Sequence, residues 1–350
     1  MHKYKRPNFI QNKILIVDGY IGGGKGLISG ILNYFEDVEM WKNRPEIEDI
    51  CGLTFANEIS NDTAAALIQS WIDQDIYNAS LLRHANFRYQ DQSSIFRYPN
   101  KMEYIRRFFE KNTSKNVDSF LQKKKILHIM IHATSPYSQP IFDAFDERLV
   151  FVRVVRSPVS EYMINHLANW TERWSTDFKS SIPIKYHHDS NGVASAPFFI
   201  NNIRDFDGFN KYKKAAVAMM HWQNTGDQMI DKIREQSKAS IIEIPFENFV
   251  LSPWDYLKKI EHSLGTKRNK RMMKYMKREK VPRTALYDAP YNEYFYKMGW
   301  RKPFTQKTTQ EQLADDILKL SSILDEETFE LLKKENEKYI SRYSLQKIFS

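Results

Sequence analysis

The segment at residues 16–32, IVDGYIGGGKGLISGIL, most constrains what this chain can fold into. An apolar run leads into a cluster of glycines and a lysine, and a helical pattern of apolar residues follows. Glycines at such a junction let successive backbone N–H groups turn towards a phosphate, and the N-terminal end of the following helix adds positive charge. The segment therefore predicts a strand, an anion-binding loop and a helix, which together begin an α/β fold.

The rest of the chain alternates short apolar runs with longer helical patterns, which predicts the same fold class. The predicted strands are near-continuously apolar, as buried strands of a parallel sheet are, and they cover 13–19, 125–133, 149–155 and 240–246. The predicted helices cover 26–36, 60–85, 100–123, 158–174, 210–235, 252–264 and 309–346. We expect a three-layer α/β/α fold with a central parallel sheet in one domain spanning 1–350. An insertion is expected at about 175–209, where proline, glycine and asparagine are frequent.

Composition narrows the class of protein further. The only cysteine is Cys51, which excludes an internal disulfide and a multi-cysteine metal site and is typical of a reducing compartment. No apolar run has the eighteen or so residues of a membrane span, and the N-terminal segment lacks the apolar core of a signal peptide. We therefore expect a cytoplasmic protein. The net charge of +9 favours an anionic partner without choosing among nucleic acid, an anionic cofactor and an acidic polysaccharide.

The glycine cluster fits a phosphate loop with one departure. Gly19, Gly24 and Lys25 satisfy G-x-x-x-x-G-K, but Gly26 stands where a Ser or Thr hydroxyl would bind magnesium. The sequence thus predicts a loop that holds a phosphate-bearing ligand but lacks the hydroxyl that binds magnesium. The residues assigned to this loop are Gly22, Gly23, Gly24, Lys25 and Gly26.

Two strand ends carry further candidates. The strand at 149–155 is followed by Arg156, with Ser157 as the expected cap of the next helix and Pro158 in its first turn. An arginine at the carboxyl edge of a parallel sheet is well placed to bind a phosphate. His132, near the end of the strand at 125–133, is expected at the same edge as a possible proton acceptor, whereas His128 lies deeper and is expected in the core.

The order of these motifs resembles the sulfotransferase family that uses 3′-phosphoadenosine 5′-phosphosulfate (PAPS). Residues 241–265, IIEIPFENFVLSPWDYLKKIEHSLG, are similar to the family's strand, turn and helix that ends in a Leu-Gly pair. Residues 297–312, KMGWRKPFTQKTTQEQ, are similar to the basic, tryptophan-containing loop that closes over the donor's 3′-phosphate. The motifs follow the family's order across residues 13–320.

The resemblance implies roles for these residues. Residues 22–26 would hold the 5′-phosphosulfate, with Lys25 on the sulfuryl or leaving phosphate oxygens. Arg156 would bind the 3′-phosphate together with Arg301 and Lys302. His132 would act as the general base that takes the proton of an acceptor hydroxyl, and no metal would be required.

The sequence also departs from the family's pattern. The glycine loop is displaced, since Gly22 occupies the family's usual lysine position and Lys25 its threonine position. The serine that contacts the 3′-phosphate is replaced by Ile164, which leaves Ser160 or Asn165 as substitutes. Glutamate serves as the base in some branches, so the resemblance leaves the assignment of His132 open.

The acceptor is not specified by the sequence. Aromatic residues lie in or beside the predicted insertion, where they could stack on a sugar or another small molecule or could anchor the insertion. They are Trp170, Trp174, Tyr186, His187, His188, Phe198 and Phe199. We expect a small-molecule or carbohydrate acceptor, and the sequence does not separate carbohydrates from lipids, phenols or peptides.

Two other functions remain open at this stage. The spacing G-x-x-x-x-G-K is closer to the phosphate loop of a kinase for a nucleoside or other small molecule, which predicts use of Mg-ATP. The basic segment at 267–280 could make the chain a non-catalytic polyanion-binding protein, with salt-dependent binding. The alternative for that segment is a solvated helix face, with Met272, Met273 and Met276 turned inward, and this interpretation predicts no nucleic-acid partner.

Overall fold

The computed structural model describes residues 4, 6–171, 187–188, 192–193, 206–290 and 307–349. Within these ranges, five parallel strands form one sheet in the order β2-β3-β1-β4-β7. They are β1 (Ile14–Gly19), β2 (Lys42–Asn43), β3 (Leu127–Met130), β4 (Leu149–Val155) and β7 (Ser240–Pro245). Two short strands, β5 (His187–His188) and β6 (Gly192–Val193), pair antiparallel.

Helices connect the strands of this sheet. They are α1 (Lys25–Leu32), α2 (Pro45–Phe55), α3 (Asn61–Ser80), α4 (Lys101–Phe109), α5 (Thr113–Gln122), α6 (Gln139–Phe145), α7 (Glu161–Thr171), α8 (Lys211–Gln236), α9 (Phe246–Leu251), α10 (Trp254–Leu264), α11 (Met272–Arg278), α12 (Thr309–Ile323), α13 (Glu326–Tyr343) and α14 (Gln346–Phe349). No helix in the part of the chain that the structure describes is long and apolar enough to span a membrane.

The sheet separates two hydrophobic cores. Because side chains alternate along a strand, Ile14 and Ile16 of β1 enter one core while Leu15 and Val17 enter the other. The first core contains buried residues of α3, α6 and α8, and the second contains those of α1, α10 and α11. This arrangement confirms the predicted α/β class with helices on both faces of a parallel sheet.

Strand β1 lies at the centre of the sheet and pairs with β3 on one side and β4 on the other. The chain crosses from one side of β1 to the other between β3 and β4, so the carboxyl edge at β1 is the topological switch point of the sheet. Open parallel sheets bind ligands at this position. The glycine loop, the end of β3 and the end of β4 therefore meet where the fold favours a site.

Polar caps divide two helices that the sequence predicts as continuous. The predicted helix at 100–123 is two helices, since α4 ends at Phe109 and the Asn112 side chain caps α5 by accepting from the Lys115 N–H at 3.0 Å. The predicted helix at 309–346 divides into α12, α13 and α14. Asp325 caps α13 by accepting from the Thr328 N–H at 2.9 Å. A side-chain cap ends a helix by offering the backbone an alternative partner. The order of apolar residues does not change there, so the helical pattern of the sequence continues across the break.

Several short strands and helices of the structure were not predicted from the sequence. Strand β2 and the helices α2 and α6 have no counterpart among the predicted elements. Pro45 at the start of α2 and the acidic residues of its first turn, Glu46 and Glu48, are helix-start features that could have indicated it. The predicted insertion lies largely outside the described residues.

The basic segment at 267–280 contains the short helix α11. Met272 and Met276 are buried as expected, but Met273 is 55% exposed, which corrects the prediction that all three methionines face inward. Several cations of the segment are paired, with Arg268 bound to Glu261 at 3.0 Å and Lys280 to Asp288 at 2.6 Å. Part of the segment's charge is therefore neutralised within the chain.

Candidate active site

The glycine loop adopts backbone conformations that require glycine. Gly22 and Gly24 have φ values of 82° and 95°, and Gly24 is the N-cap of α1. A Cβ at Gly24 would lie 2.2 Å from Phe246 Cδ2, and one at Gly22 would lie 3.0 Å from His166 Cδ2. No side chain caps the start of α1, so the N–H groups of its first two residues are available to an anion, whereas the Leu27 N–H donates to the Gly24 carbonyl at 3.1 Å.

A substitution at Gly24 tests this geometry. We expect Gly24→Ala to lower the free energy of unfolding by about 2–5 kcal/mol, through backbone strain and the clash with Phe246. Gly208→Ala is the matched control, because a Cβ there has no atom within 4 Å and the backbone is not left-handed. Chemical denaturation of both variants measures the difference, and equal stability would show that the loop does not need the observed conformation.

Lys25 is folded back onto its own loop. Its Nζ donates to the Gly19 carbonyl at 2.8 Å and to the Tyr20 carbonyl at 3.3 Å, and the side chain is buried. Burial lowers the pKa of Lys25 to about 8, although the nearby carboxylates of Asp18 and Glu48 oppose the shift. In this structure Lys25 closes the loop, and its contact with sulfuryl or phosphate oxygens stays a prediction.

The lowered pKa of Lys25 predicts a pH dependence. Below pH 8 the ammonium is charged in folded and unfolded chains alike, and above pH 8 the folded chain loses the proton first. Lys25 therefore raises the free energy of unfolding as the pH rises from about 8 to 10.5. Affinity for adenosine 3′,5′-bisphosphate should move the other way and fall by up to about tenfold per pH unit above 8, because a neutral amine does not attract an anion.

Calorimetric titrations across this pH range measure the effect on binding. Lys25→Arg, whose guanidinium stays charged, should bind the bisphosphate with nearly constant affinity from pH 7 to 9.5, below the lowered pKa of Arg283. An affinity of the unmodified chain that is flat from pH 7 to 9.5 would show that the charge of Lys25 does not contribute, since its pKa of about 8 lies inside that interval.

Arg156 lies against the glycine loop at the end of β4. Its Nη1 donates to the Gly22 carbonyl at 3.1 Å, and its guanidinium stacks 4.5 Å from the Phe246 ring centre and 4.8 Å from that of Tyr162. The side chain is buried, and its Nε has no hydrogen-bond partner among the residues the structure describes. A buried guanidinium with an unused N–H is a strong candidate for an anion ligand.

A second guanidinium, missed in the sequence, lies beside the first. Arg283 is 5.5 Å from the centre of the same Phe246 ring, and its Nη1 donates to the Leu286 carbonyl at 2.8 Å. Its Nε is also shielded and has no hydrogen-bond partner within the described residues. Burial and, next, the charge of Arg156 lower the pKa of Arg283 to about 10. One buried carboxylate, Glu247, lies 3.8 Å from Arg156 Nε, so the two guanidiniums favour a further anion.

A buried carboxylate holds the turn that carries Arg156. Glu247 accepts from the Ser157 N–H at 3.1 Å and from the Tyr339 hydroxyl at 2.5 Å, and its carboxylate is 3.8 Å from Arg156 Nε. The Ser157 hydroxyl donates to Asn336 at 2.8 Å. Glu247 belongs to the segment that resembles the family's turn, and its contacts give it a positioning role for Arg156.

The predicted start of α7 was wrong. The helix begins at Glu161, and the Met163 N–H donates to the Ser160 hydroxyl at 3.4 Å, so neither Ser157 nor Pro158 has the position expected for it. The Ser157 N–H donates to Glu247 and its hydroxyl donates to Asn336, and the Ser160 hydroxyl accepts from the first turn of α7 instead.

Ile164 stands where the family has the serine that contacts the 3′-phosphate, and the structure gives it and its two suggested substitutes different surroundings. Ile164 is fully buried in the core, which suits an apolar side chain. Asn165 is bound to Glu161 at 2.5 Å. The Ser160 side chain acts on the pKa of Tyr287, which burial raises, and the Tyr287 ring centre is 5.9 Å from the Arg156 guanidinium. Ser160 is therefore the one of the three that shares a neighbour with Arg156, and its contact with a ligand stays a prediction.

His132 lies beyond the end of its strand, because β3 ends at Met130 and a left-handed turn at Ala133, with φ 53°, follows. The Asp18 carboxylate accepts from the Thr134 N–H at 3.0 Å and the Ser135 N–H at 2.8 Å. These bonds end the strand and correct the predicted range of 125–133. The Gly19 carbonyl accepts from Ala133 N–H as well as Lys25 Nζ, so it ties the His132 turn to the glycine loop.

Glu48, which the sequence did not indicate, orients His132. Its Oε1 lies 3.0 Å from His132 Nδ1 and accepts from the backbone N–H of the same residue at 2.9 Å. This contact favours the tautomer with the proton on Nδ1, and it leaves Nε2 as a proton acceptor. The His132 side chain is 31% exposed, so it is open to a substrate. His128 is fully buried as predicted, and burial lowers its pKa to about 3.

Several predicted residues cannot be placed. Arg301, Lys302, Trp174, Tyr186, Phe198 and Phe199 lie outside the described residues. Trp170 is described and donates to His166 at 3.1 Å. No group of three or more His, Cys, Asp or Glu residues is arranged to hold a metal within the described ranges.

Three solved structures illustrate the likeness to known proteins. The sulfotransferase domain of the Synechococcus PCC 7002 olefin synthase is 11% identical, with TM-score 0.41 and coverage of 97% of this chain and 98% of that one. The sulfotransferase domain from the curacin biosynthetic pathway is 10% identical, with TM-score 0.44 and coverage of 95% and 98%. Sulfotransferase STF9 from Mycobacterium avium is 12% identical, with TM-score 0.36 and coverage of 90% and 77%. No family model and no curated protein matches the chain. Identities and TM-scores this low carry no argument about function.

Proposed function

We propose that this chain is a sulfotransferase that transfers a sulfuryl group from PAPS to a hydroxyl or amine of a small-molecule or carbohydrate acceptor. The observation that carries the proposal is the pair of shielded guanidiniums, Arg156 and Arg283, whose Nε atoms lack hydrogen-bond partners in the described chain. They lie beside a glycine loop in which Gly26 offers no hydroxyl for a metal. PAPS carries anionic groups at both its 5′ and 3′ positions, so it needs two anion sites and no metal ligand.

The described residues fit such a donor. The loop at residues 22–26 would hold the phosphosulfate through backbone N–H groups, and Gly24 cannot be replaced without a clash. Arg156 and Arg283 would hold the 3′-phosphate, with Arg301 and Lys302 joining them as predicted from the sequence. Each charge-assisted hydrogen bond from a guanidinium contributes about 1.5–3 kcal/mol, so the pair would supply much of the donor affinity.

The chain's own groups can perform the proton transfer. Glu48 holds His132 with Nε2 free to accept the acceptor's proton, and the carboxylate stabilises the imidazolium that results. The donor would supply the sulfuryl group, with a new oxygen–sulfur bond forming as the bond to its phosphate breaks. Lys25 and the N–H groups of the loop would stabilise the negative charge that this phosphate gains.

A kinase that uses Mg-ATP is the second candidate, and the spacing of Gly19, Gly24 and Lys25 favours it. Gly26 is the specific obstacle, because the hydroxyl that binds magnesium in such loops is missing.

A transfer assay distinguishes the two candidates. The purified chain is incubated with a panel of simple glycosides, uronic acid glycosides and phenols, once with radiolabelled PAPS and once with radiolabelled Mg-ATP. We expect label on an acceptor only from PAPS, and its transfer should persist in excess chelator. Label from Mg-ATP alone would replace the proposed function with the kinase.

A further inference from the structure

Helix α4 exposes apolar side chains and buries polar ones, which is the reverse of an ordinary surface helix. On its inner face the buried Arg107 pairs with Glu39 at 2.8 Å and with Glu103 at 2.7 Å. Tyr104 lies on the same face and is also buried, and its hydroxyl donates to the Glu39 carboxylate at 3.0 Å. These buried contacts fix the inner face, so the apolar residues of the helix remain on the outside.

The outer face of α4 is a stripe of large apolar side chains. Met102, Ile105 and Phe109 have the spacing i, i+3 and i+7, so they lie within about 60° of one another around the helix axis. Met102 is 70% exposed and Phe109 73%, and Ile105 and Phe108 are exposed as well. A contiguous exposed apolar surface of this kind marks an interaction site.

The segment before α4 adds exposed aromatic side chains. The Phe96 ring centre lies 6.4 Å from that of Phe87 and 5.9 Å from that of Tyr89, and all three side chains are exposed. The turn at 95–97 packs against α4. The aromatic cluster of Phe87, Tyr89 and Phe96 is therefore a neighbour of the helix.

The charged groups between residues 83 and 111 leave a positive balance. All three carboxylates of this segment are bound by cations of the chain, and they are Asp91, Glu103 and Glu110. Five cations are exposed and have no ion pair within the described residues, and they are Arg83, Arg97, Lys101, Arg106 and Lys111. The apolar stripe is thus flanked by uncompensated positive charge.

The basic segment at 267–280 contacts the start of the same helix. Arg271 Nη1 donates to the Pro99 carbonyl, two residues before α4 begins. Lys270 and Lys274 lie close to this contact in the chain, and both are exposed without an ion pair in the described part of the chain. The part of the segment's charge that is not neutralised therefore adds to the positive charge beside α4.

Charge and composition distinguish the possible occupants of this face. A second copy of the chain would place like charges opposite one another, which disfavours a symmetric contact. An acidic protein would match the charge, but interfaces between proteins are depleted of lysine, and here Lys101 and Lys111 flank the stripe. A membrane with anionic lipids offers negative headgroups above an apolar interior. Helices with cations beside exposed phenylalanine bind such membranes.

We propose that the outer face of α4 docks the chain on an anionic membrane surface. The apolar stripe would enter the boundary between headgroups and acyl chains, and the unpaired cations beside it would contact lipid phosphates. The aromatic cluster before α4 would extend the contact. This inference stands on exposed surface and charge, and it does not depend on the proposed function.

Vesicle sedimentation with the full chain tests the proposal. Vesicles of phosphatidylcholine alone are compared with vesicles that also contain about one quarter phosphatidylserine. We expect the anionic vesicles to bind at least about tenfold more tightly, and the double variant Lys101→Gln with Arg106→Gln should lose most of that preference. Phe109→Gln should weaken binding to the anionic vesicles by about tenfold or more.

A matched variant separates this face from general surface hydrophobicity. Leu318 of α12 is 71% exposed, close to the value for Phe109, so Leu318→Gln should bind the anionic vesicles as the unmodified chain does. Phe109→Gln should keep the melting temperature, because it changes an exposed side chain.

A fluorescent label measures insertion without a comparison of affinities. Cys51 is fully buried, so Phe109→Cys can be labelled selectively with an environment-sensitive dye. We expect its emission to shift to the blue with anionic vesicles. The same dye on Leu318→Cys should show no shift.

Three results would overturn the inference. The first is an absence of binding to anionic vesicles at millimolar lipid, or binding that Phe109→Gln does not weaken. The second is a blue shift of the Phe109→Cys label with polyglutamate in place of vesicles, which would assign the face to an acidic protein. The third is a shift that follows protein concentration alone, which would assign it to a second copy of the chain.

Discussion

Replacement of Arg156 by alanine should reduce affinity for adenosine 3′,5′-bisphosphate by about a hundredfold or more. The variant loses a guanidinium whose charge-assisted hydrogen bonds are worth about 1.5–3 kcal/mol each. Arg283→Ala should produce a loss of similar order, although no sequence motif points to it. Because both guanidiniums stack on Phe246, the effects of the two substitutions should not add independently.

Isothermal titration of the two variants measures this loss. Arg88→Ala is the matched control, since its side chain is 74% exposed and pairs only locally with Asp91. We expect this control to bind as the unmodified chain does. Unchanged affinity in Arg156→Ala and Arg283→Ala, with unchanged folding, would remove both residues from the donor site.

Replacement of His132 by alanine should lower turnover by about 10²–10⁴-fold, because the acceptor hydroxyl loses its general base. Affinity for the bisphosphate should change little, since His132 belongs to the end of β3 and not to the loop or the arginines. Glu48→Gln should lower turnover by a smaller factor, because the amide can still orient the imidazole but does not stabilise its charge. Donor affinity of this variant is compared below pH 7, because the Glu48 carboxylate also raises the pKa of Lys25.

Single-turnover kinetics with the acceptor found in the transfer assay measure the chemical step directly. His128→Gln provides a control for histidine content at a fully buried position of β3. Full turnover in His132→Ala would assign the base to another group, and Glu48 would be the first carboxylate to test.

The fold class was predictable because it depends on local patterns. Four near-continuous apolar runs correspond to β1, β3, β4 and β7, and the glycines mark the junction of β1 and α1. Element boundaries were less predictable, since caps such as Asn112 and Asp325 act through single hydrogen bonds that an apolar period does not reveal. The two residues of β2 are too few to produce a period at all.

The site was only partly predictable, for a related reason. Arg156 and His132 follow strands, so the topology of a parallel sheet brings them to one edge. Arg283 and Glu48 reach the same region from elements with no such rule, and only the folded chain places them beside Phe246 and His132. Three expectations stay predictions. They are the binding of the 3′-phosphate by Arg301 and Lys302, the single-domain organisation and the cytoplasmic location.

Calorimetric titration of the unmodified chain with adenosine 3′,5′-bisphosphate, in parallel with Mg-ATP at near-physiological salt, tests the central claim most directly. The account predicts tight binding of the bisphosphate without magnesium and weak or no binding of Mg-ATP. Preference for Mg-ATP would contradict the sulfotransferase assignment, favour the kinase, and leave Arg156, Arg283 and His132 in need of other roles.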